Sequence, residues 1–504
     1  MHLRTGCGIS VLGGREERDV AYNFIPCNRE QAYLMPPSLR DWLPEDHLAW
    51  FVLDAVTQMD LSAFRAKYRI DGWGAKAFSP DMMVSLLLYA YCVGERSSRK
   101  IERACETNVA FRVVAANNRP DHATIARFRR KNLKELETLF TQILRLCAEA
   151  GLVKVGVVAI DARGSGPQKV RACRGTKMEA NAALAANKKY EGIEKEIERE
   201  VAKMLAEAES VDREEDGKYG KKRGDPKSRA LRGELPEDMR VQKTRIERLR
   251  ECRQRLEEDA QDRATEQQKK IDERAAKETA TGVKLRGRKL KEPDPTPSKE
   301  ARANPTDPES RILKNRKGYV QGYNAQAAVT EKQIIVAAEV TQEENDVGRL
   351  HSTIAKTVEN LKSAGVEEKV GTALADAGYW SEANAETDED GPDLLIATTK
   401  DWQQRKAARE RPPPRGRIPK DISCRDRMER KLMTKRGRAT YKKRSQTVEP
   451  VFGQIKDARG CKRFNLRGVD GASGEWKLLC GTHNLLKLWR HVCRQAASGR
   501  ASWN

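Results

Sequence analysis

Two short apolar runs, each ending in an aspartate, constrain the fold of this chain most strongly. The run "VKVGVVAID" ends at Asp161, and the run "VGTALAD" ends at Asp376. Short, nearly continuous apolar runs are typical of strands buried on both faces of a sheet. A carboxylate at the end of a buried strand is costly unless something compensates its charge. If the two strands are adjacent, the carboxylates repel each other, and a divalent cation is the usual remedy.

The patterns around these runs predict an α/β domain. The segments "GYVQGYNAQAAVT" and "QIIVAAEVT" predict a hairpin, a helix follows at about 346–364, and "DLLIAT" at 393–398 predicts a fifth strand. The order is therefore strand, hairpin, helix, strand, helix, strand, helix. This is the order of a ribonuclease H-like domain, in which mixed strands carry helices on both faces. We assign residues 151–175 and 310–495 to this catalytic domain.

The rest of the chain divides by composition and periodicity. Residues 31–150 carry apolar positions at helical spacing and predict an all-α domain for DNA binding or dimerisation. Residues 176–289 are charged and helical, so we predict a long helical hairpin inserted into the catalytic domain. Residues 290–309 are predicted to be a Pro-rich linker, and residues 1–30 a flexible segment.

The charge of the chain indicates a polyanionic partner. The sequence has 96 Lys and Arg residues against 74 Asp and Glu, a net charge of +22, which favours nucleic acid over an acidic membrane surface. The longest apolar run, at 82–94, is too short to span a bilayer, and the N-terminus has no signal-peptide core. We therefore expect a cytoplasmic, nucleoid-associated protein. The eleven cysteines suggest neither a disulfide framework nor a zinc ribbon.

A third acid, Glu449, lies in the basic segment "YKKRSQTVEPVFGQIK". Pro450 is tolerated best in a first helical turn, so the helix is predicted to begin near Thr447, with Glu449 at its start and packed on the sheet. Lys456 would share the face of Glu449 and approach a phosphate. Any one such acid can be a helix cap or a surface ion-pair partner. The three together predict Mg²⁺-dependent attack on a phosphodiester.

Several other positions have two readings. Arg127, Arg129 and Arg130 lie on a helix capped near Asp121, which would enter a DNA groove or form a solvated face of a dimerisation helix. Two amides on one strand face would contact substrate or, as we favour, make cross-strand or backbone hydrogen bonds; they are Asn324 and Gln326. Two further residues are predicted to be structural, as a helix cap and a packed core histidine: Asp346 and His483.

The motifs together resemble those of DDE-type insertion-sequence transposases. The catalytic part carries "VVAIDARG", "KGYVQGYNAQAAV", "ALADAGYWSEAN" and "YKKRSQTVEPVFGQIK". The N-terminal part resembles the InsH-like helical domain of the same group in "LMPPSLRDWLPEDHLAWFV", "GWGAKAFSPDMMVSLLLYAYCVGERSSRKIE" and "DHATIARFRRKN". The resemblance covers most of the chain outside 1–30 and 185–300. It implies a ribonuclease H-like catalytic domain, two Mg²⁺ or Mn²⁺ ions, and binding to terminal inverted repeats.

The resemblance also implies roles for particular residues. The acidic trio that binds metal and carries catalysis falls on Asp161, Asp376 and Glu449, and the DNA-contacting signature falls on Tyr441, Arg444, Glu449 and Lys456. One more residue separates Arg444 from Glu449 than in the best-known form of that signature. The long insertion follows the first aspartate, whereas the family pattern has it between the second aspartate and the glutamate.

The sequence thus predicts a transposase that binds double-stranded DNA, both its element ends and its target, as a homodimer. It would catalyse metal-dependent strand cleavage and strand transfer. Two alternatives remain open at this stage. One is a metal-dependent nuclease or resolvase that cleaves without joining, and the other is a non-catalytic DNA-binding scaffold protein.

Overall fold

The protein has a mixed α/β architecture with a helical N-terminal part. The predicted flexible segment 1–30 lies outside the described residues. No helix within the described ranges is long and apolar enough to cross a membrane. The computed structural model describes residues 38–68, 77–161, 177–219, 237–282, 284, 290–315, 318–386, 391–399, 401–419 and 421–498.

Within residues 38–68 and 77–149, seven α-helices form the N-terminal part. Helix α3 is its centre, because it is buried on nearly every side from Met83 to Cys92. Polar side chains cap α1, α5 and α6, as where Asp121 accepts a hydrogen bond from the backbone N–H of Thr124. The seven are α1 (Leu48–Thr57), α2 (Ser62–Arg65), α3 (Pro80–Cys92), α4 (Ser98–Thr107), α5 (Val109–Val114), α6 (His122–Lys131) and α7 (Leu133–Glu149).

A mixed sheet follows, and its main path runs β7-β6-β1-β8-β9. The pairs β7–β6 and β6–β1 are antiparallel, whereas β1–β8 and β8–β9 are parallel. Strands β2 and β5 pair with the first half of the long strand β6, and β3 pairs with β4 apart from this sheet. The strands are β1 (Val157–Asp161), β2 (Lys177–Glu179), β3 (Lys188–Lys189), β4 (Arg302–Ala303), β5 (Arg311–Asn315), β6 (Gly318–Thr330), β7 (Ile335–Thr341), β8 (Thr372–Ala375) and β9 (Asp393–Ile396).

The remaining helices pack on the sheet or extend from it. Helix α10 packs against β7, α14 packs against β1, and α15 packs against β7 and the N-terminal helices α3 and α7. These helices are α8 (Tyr190–Tyr219), α9 (Glu237–Thr281), α10 (Leu350–Ser363), α11 (Glu382–Ala385), α12 (Trp402–Glu410), α13 (Cys424–Met433), α14 (Lys435–Gly453) and α15 (Gly468–Ala497).

One hydrophobic core joins the N-terminal helices to the sheet. Helix α15 makes this connection, since a Cβ at Gly481 would lie only 3.2 Å from Ile143 Cδ1 of α7. Its Trp476 ring stacks on Phe452 of α14 at a centroid distance of 5.9 Å. The helical part and the α/β part, which the sequence suggests as separate domains, therefore share their apolar interior.

The charged insertion forms two long helices with a small core of their own. Its buried members are Ile193, Leu249, Cys252, Leu256 and Ala303. The end of the segment predicted to be a linker packs against the main body, because Asn304 and Asp307 are buried. The insertion begins after β2, since that strand belongs to the main sheet.

Helix α14 corrects one sequence prediction. It begins at Lys435, where Thr434 caps it by accepting from the Gly437 N–H, and not near Thr447. Pro450 therefore lies inside the helix, where it removes the N–H that would bond the carbonyl of Gln446. The side chain of Gln333 donates to that carbonyl instead, at 3.2 Å. The helix tolerates Pro450 because a neighbouring element supplies the missing donor.

Candidate active site

The ends of two neighbouring strands bring the first two predicted acids together. Strands β1 and β8 are parallel, with Ala159 paired to Leu374. The same register, continued for two residues, sets Asp161 beside Asp376, on strands about 4.8 Å apart. The backbone of Asp161 ends β1, and its side chain lies outside the described part of the structure.

A tight turn fixes the carboxylate of Asp376. The side chain is only 5% exposed, and its Oδ1 accepts a hydrogen bond of 2.6 Å from the Gly378 N–H. The Tyr379 N–H donates to the Asp376 carbonyl at 3.2 Å, which closes the turn. The carboxylate is thus held in place before any ligand arrives.

Helix α14 is anchored near the ends of both strands. The Tyr441 hydroxyl donates to the carbonyl of Ala375, the residue before Asp376, at 3.2 Å. Just beyond the helix, Lys456 Nζ donates at 3.2 Å to the carbonyl of Lys177 in β2. Strands β1 and β2 pair with the same edge of β6, one after the other along it. Glu449 lies between these two anchors, with its side chain 21% exposed.

The basic and aromatic residues around Glu449 make contacts inside the protein. The buried guanidinium of Arg444 has a nitrogen 3.9 Å from Glu449 Oε1, and its Cζ lies 5.9 Å from the centre of the Tyr441 ring. Lys456 is also buried. Of the DNA contacts expected from the signature, Tyr441, Arg444 and Lys456, all three therefore also hold the local structure.

Asp346 is a residue whose contacts the sequence did not reveal. It occupies the N-cap position of a short 3₁₀ turn, as predicted, but its side chain makes no capping hydrogen bond there. Its Oδ1 instead accepts from the amides of Asn324 at 2.6 Å and Gln326 at 3.3 Å. Both amides thus bond to a side chain off the sheet and not across strands; only Asn324 also donates to a backbone carbonyl, that of Glu343 at 3.3 Å, as we favoured. The sequence did contain one indication of this arrangement: two amide donors on the same face of a strand require an acceptor nearby.

A glycine separates Asp346 from Asp376. A Cβ added at Gly378 would lie 2.8 Å from Asp376 Oδ1 and 3.0 Å from Asp346 Oδ2. With these two lengths as sides of one triangle, the oxygens are no more than about 5.8 Å apart. Only a residue without a side chain leaves both carboxylates in their present positions.

The oxygen donors here suit a hard divalent cation. Carboxylate oxygens are the ligands that Mg²⁺ and Mn²⁺ take, and close carboxylates are stabilised when a cation lies between them. Within the residues whose side chains the structure describes, no group of three His, Cys, Asp or Glu side chains is arranged to hold a metal. Asp161 falls outside that set, so the predicted trio of acids is not tested by this finding.

The predicted basic helix α6 divides into outward and inward arginines. Arg127 and Arg130 are exposed. Arg129 is 5% exposed, and its guanidinium donates to the Tyr91 hydroxyl at 3.2 Å and the Arg96 carbonyl at 2.8 Å. Arg129 therefore ties α6 to α3, and we withdraw it from the DNA-contacting set. Helical spacing alone did not show which face the neighbouring helices cover.

A pocket of about 900 Å³ opens beside the candidate site, between the end of β9 and helices α12, α13 and α14. Tyr441, whose hydroxyl bonds the Ala375 carbonyl, contributes to its wall. Basic side chains line much of the rest: Arg405, Arg411, Arg430, Arg438 and Lys442. The pocket thus joins a basic surface to the strand end that carries Asp376.

Two regions of the chain match known families. Residues 37–131 match a transposase domain, DUF772, and residues 405–489 match a transposase DDE domain. The first match covers the N-terminal helices through α6, and the second covers the helix that carries Glu449. No curated protein and no solved structure matches the chain. A transposase domain thus lies in each half of the chain, and the two matches support a DDE-type insertion-sequence transposase.

Proposed function

We propose that the protein cuts DNA at the ends of a mobile element and joins the freed strand to a target, with Asp161, Asp376 and Glu449 as its catalytic acids. One observation carries this proposal. The strand register sets the first two acids side by side, while α14 carries the third and is anchored at the carbonyl next to Asp376. The transposase DDE match over α14 supports the same assignment.

We further propose that the sheet is that of a ribonuclease H-like domain. The path β7-β6-β1-β8-β9, with antiparallel pairs on one side of β1 and parallel pairs on the other, supports this proposal. In such a sheet the first and fourth of the five main strands in chain order are neighbours. This neighbourhood brings together acids that lie more than 200 residues apart in the chain.

The three acids would hold Mg²⁺ or Mn²⁺, with two ions expected. When bound, the ions would activate the attacking oxygen and stabilise the leaving oxygen of a phosphodiester. The residues of the chain prepare this site. The Gly378 N–H orients Asp376, and α14 carries Glu449 with Arg444 beside it.

Double-stranded DNA would lie across two basic surfaces. Residues 401–450 hold 17 Lys and Arg against 6 Asp and Glu, and two exposed members of this group, Arg411 and Lys442, line the pocket that Tyr441 also lines. Arg127 and Arg130 on α6 form a second exposed basic group. Two groups on one chain fit a protein that holds element ends and target together, and we propose that it acts as a homodimer.

The test uses the full chain with DNA from the ends of its own element and Mg²⁺. We expect the wild-type protein to cut and join this DNA. Glu449→Gln should bind the ends with nearly wild-type affinity and cut at least about a hundredfold more slowly, because binding depends on distributed basic contacts and cutting on the metal site. The control Glu359→Gln, an exposed glutamate on α10, should behave as wild type.

Each result bears on a different part of the proposal. Cutting by Glu449→Gln near the wild-type rate would remove Glu449 from the catalytic set. Cut DNA without joined product would restrict the activity to that of a nuclease. Bound DNA that neither protein cuts would favour a scaffold role.

A further inference from the structure

We propose that Asp346 is a positioning residue of the catalytic centre, which holds the Asp376 turn in place and adds negative charge beside it. This inference rests on the proposed function, because it assigns a role toward the cation that Asp376 would bind. Asp346 does not belong to the acidic trio that the sequence motifs indicate. Its role follows from three features of the structure.

The first feature is burial with defined partners. Asp346 is 2% exposed. Its Oδ1 accepts hydrogen bonds from Asn324 Nδ2 at 2.6 Å and Gln326 Nε2 at 3.3 Å. A buried carboxylate is costly unless hydrogen bonds compensate it, and these two amides on one face of β6 hold the Asp346 carboxylate in a defined orientation.

The second feature is a chain of contacts from Asp346 to the Asp376 turn. Gln326, which donates to Asp346, accepts from the Tyr379 hydroxyl at 3.1 Å. Tyr379 belongs to the turn that orients Asp376. A second link runs through Asn384, whose Nδ2 donates to the carbonyls of Val347 at 2.5 Å and Tyr379 at 2.7 Å. The segment after Asp346 and the turn are thus fixed to each other at two points.

The third feature is the short distance between the two carboxylates. Asp376 Oδ1 and Asp346 Oδ2 both lie within 3.0 Å of the Cβ position at Gly378. Like charges this close in a buried place repel each other, and a cation held at Asp376 relieves that repulsion. Asp346 therefore strengthens cation binding at Asp376 without having to ligate the ion itself.

A second buried aspartate of this chain provides a matched control. Asp307 is 1% exposed and accepts from the Tyr323 hydroxyl at 2.8 Å and the Gly468 N–H at 3.2 Å. Its contacts join the end of the insertion to the start of α15 and do not involve the Asp376 turn. Replacing either aspartate by Asn removes a buried charge and disturbs two hydrogen bonds, so the structural cost of the two changes is comparable.

The experiment measures Mn²⁺ binding to the full chain without DNA, from the electron paramagnetic resonance signal of free Mn²⁺. Asp346→Asn should bind Mn²⁺ about 10- to 100-fold more weakly than wild type, which is the usual effect of losing an outer partner of a metal ligand. Asp307→Asn should bind as wild type. Melting temperatures of both variants show whether they are folded.

A further variant covers the case in which Asp346→Asn does not fold. Gly378→Ala removes no charge and no hydrogen-bonding group, but its methyl would lie 2.8 Å from Asp376 Oδ1 and 3.0 Å from Asp346 Oδ2. The carboxylates must then move, and we expect Mn²⁺ binding at least about tenfold weaker than wild type.

The outcomes separate this inference from the proposed function. If Asp376→Asn weakens Mn²⁺ binding but folded Asp346→Asn or Gly378→Ala binds as tightly as wild type, the inference fails alone. If Asp307→Asn weakens binding as much as Asp346→Asn, the effect is a general structural one and the inference also fails. If wild type and Asp376→Asn bind Mn²⁺ equally, the proposed metal site and the inference both fail.

Discussion

The histidine in α15 shows how strongly the interior acts on a single residue. Burial lowers the pKa of His483 to about 3, with the positive charge of Arg459 as a further cause. The imidazole is therefore neutral at pH 7, and its Nε2 lies 3.0 Å from the carbonyl of Gln333. This confirms the prediction of a packed core histidine. Because Gln333 also supplies the donor that Pro450 lacks, His483 supports the loop that stabilises α14.

His483 should make the fold sensitive to acid. The unfolded chain binds a proton at His483 below about pH 6.5, whereas the folded chain does not, so the free energy of unfolding falls as the pH falls. Between pH 7 and pH 5 this loss amounts to about 2 kcal/mol. His483→Gln keeps an N–H donor but cannot take up the proton. Urea unfolding at both pH values should show that the variant loses about 2 kcal/mol less than wild type.

An equal loss in wild type and His483→Gln would mean that the acid sensitivity comes from other groups. His491, also on α15 and only half-buried, provides the control. His491→Gln, measured in the same way, shows whether the loss of any imidazole from α15 changes the acid sensitivity.

At the scale of residues, the sequence indicated the candidate acids but not their surroundings. Asp161 and Asp376 were identifiable because buried strands end at them. Asp346 was missed because its partners lie about 20 residues earlier, on another element. Arg129 was misassigned because the position of a residue on a helix does not reveal what covers that face. The local sequence pattern identifies residues whose chemistry suits the site, whereas the burial of a side chain depends on contacts with distant parts of the chain.

Among the elements, those with strong apolar patterns were predictable. The hairpin of β6 and β7 and the strands β8 and β9 lie where the sequence indicates. Strands β2 and β5 were missed because they are short and polar and form only by pairing with β6. The predicted start of α14 was wrong because proline normally occurs in the first turn of a helix. Gln333, which replaces the hydrogen bond that Pro450 cannot donate, lies far away in the chain.

The insertion is an element that the main fold should tolerate losing. Its small apolar core is separate from the main core. Lys189 at the end of β3 pairs with Arg302 at the start of β4, so the two ends of the insertion are adjacent. Replacing residues 190–301 by a short Gly/Ser linker should leave a single cooperative thermal transition. We expect a modestly lower melting temperature, because Arg255 no longer donates to the carbonyl of Ser310 at 3.3 Å.

Calorimetry of the shortened chain gives the result directly. A broad or absent transition would show that the insertion is required for the fold. Phe452→Ala in the full chain provides a comparison, since removing this buried ring from the main core should cost about 3 to 5 kcal/mol. The shortened chain should be more stable than this variant.

On the scale of the whole molecule, a buried ion pair holds the N-terminal helices to the C-terminal segment. Arg96, after α3, donates to Glu475 of α15 at 2.9 Å. The other oxygen of Glu475 accepts from the N–H groups of Asn465 and Leu466. Burial raises the pKa of Glu475, and the Arg96 charge opposes that rise. Because the two transposase domains share a core and this ion pair, the two DNA-contacting surfaces that we propose, on α6 and beside the candidate active site, would belong to one body.

The contacts of the basic residues in 401–450 predict which of them are available to bind DNA. Of the basic residues in 401–450, Arg438 donates to the carbonyls of Met433 and Arg411, and Lys443 pairs with Glu331. These two hold the structure and are poor choices for a binding test. Three others on α14 are exposed: Lys435, Arg436 and Lys442.

Replacing Lys435, Arg436 and Lys442 together by Gln should weaken DNA binding and flatten its dependence on salt. Each phosphate neutralised by a basic side chain contributes about 0.9 to the slope of log affinity against log salt, so losing three contacts should reduce the slope by roughly 2 to 3. Filter-binding measurements at several salt concentrations determine this slope. Three exposed lysines of the insertion, Lys203, Lys269 and Lys277, provide the control when replaced in the same way. If the α14 variant keeps the wild-type salt slope and the insertion variant has a reduced slope, the DNA contacts helices α8 and α9 of the insertion and not the surface beside the candidate active site.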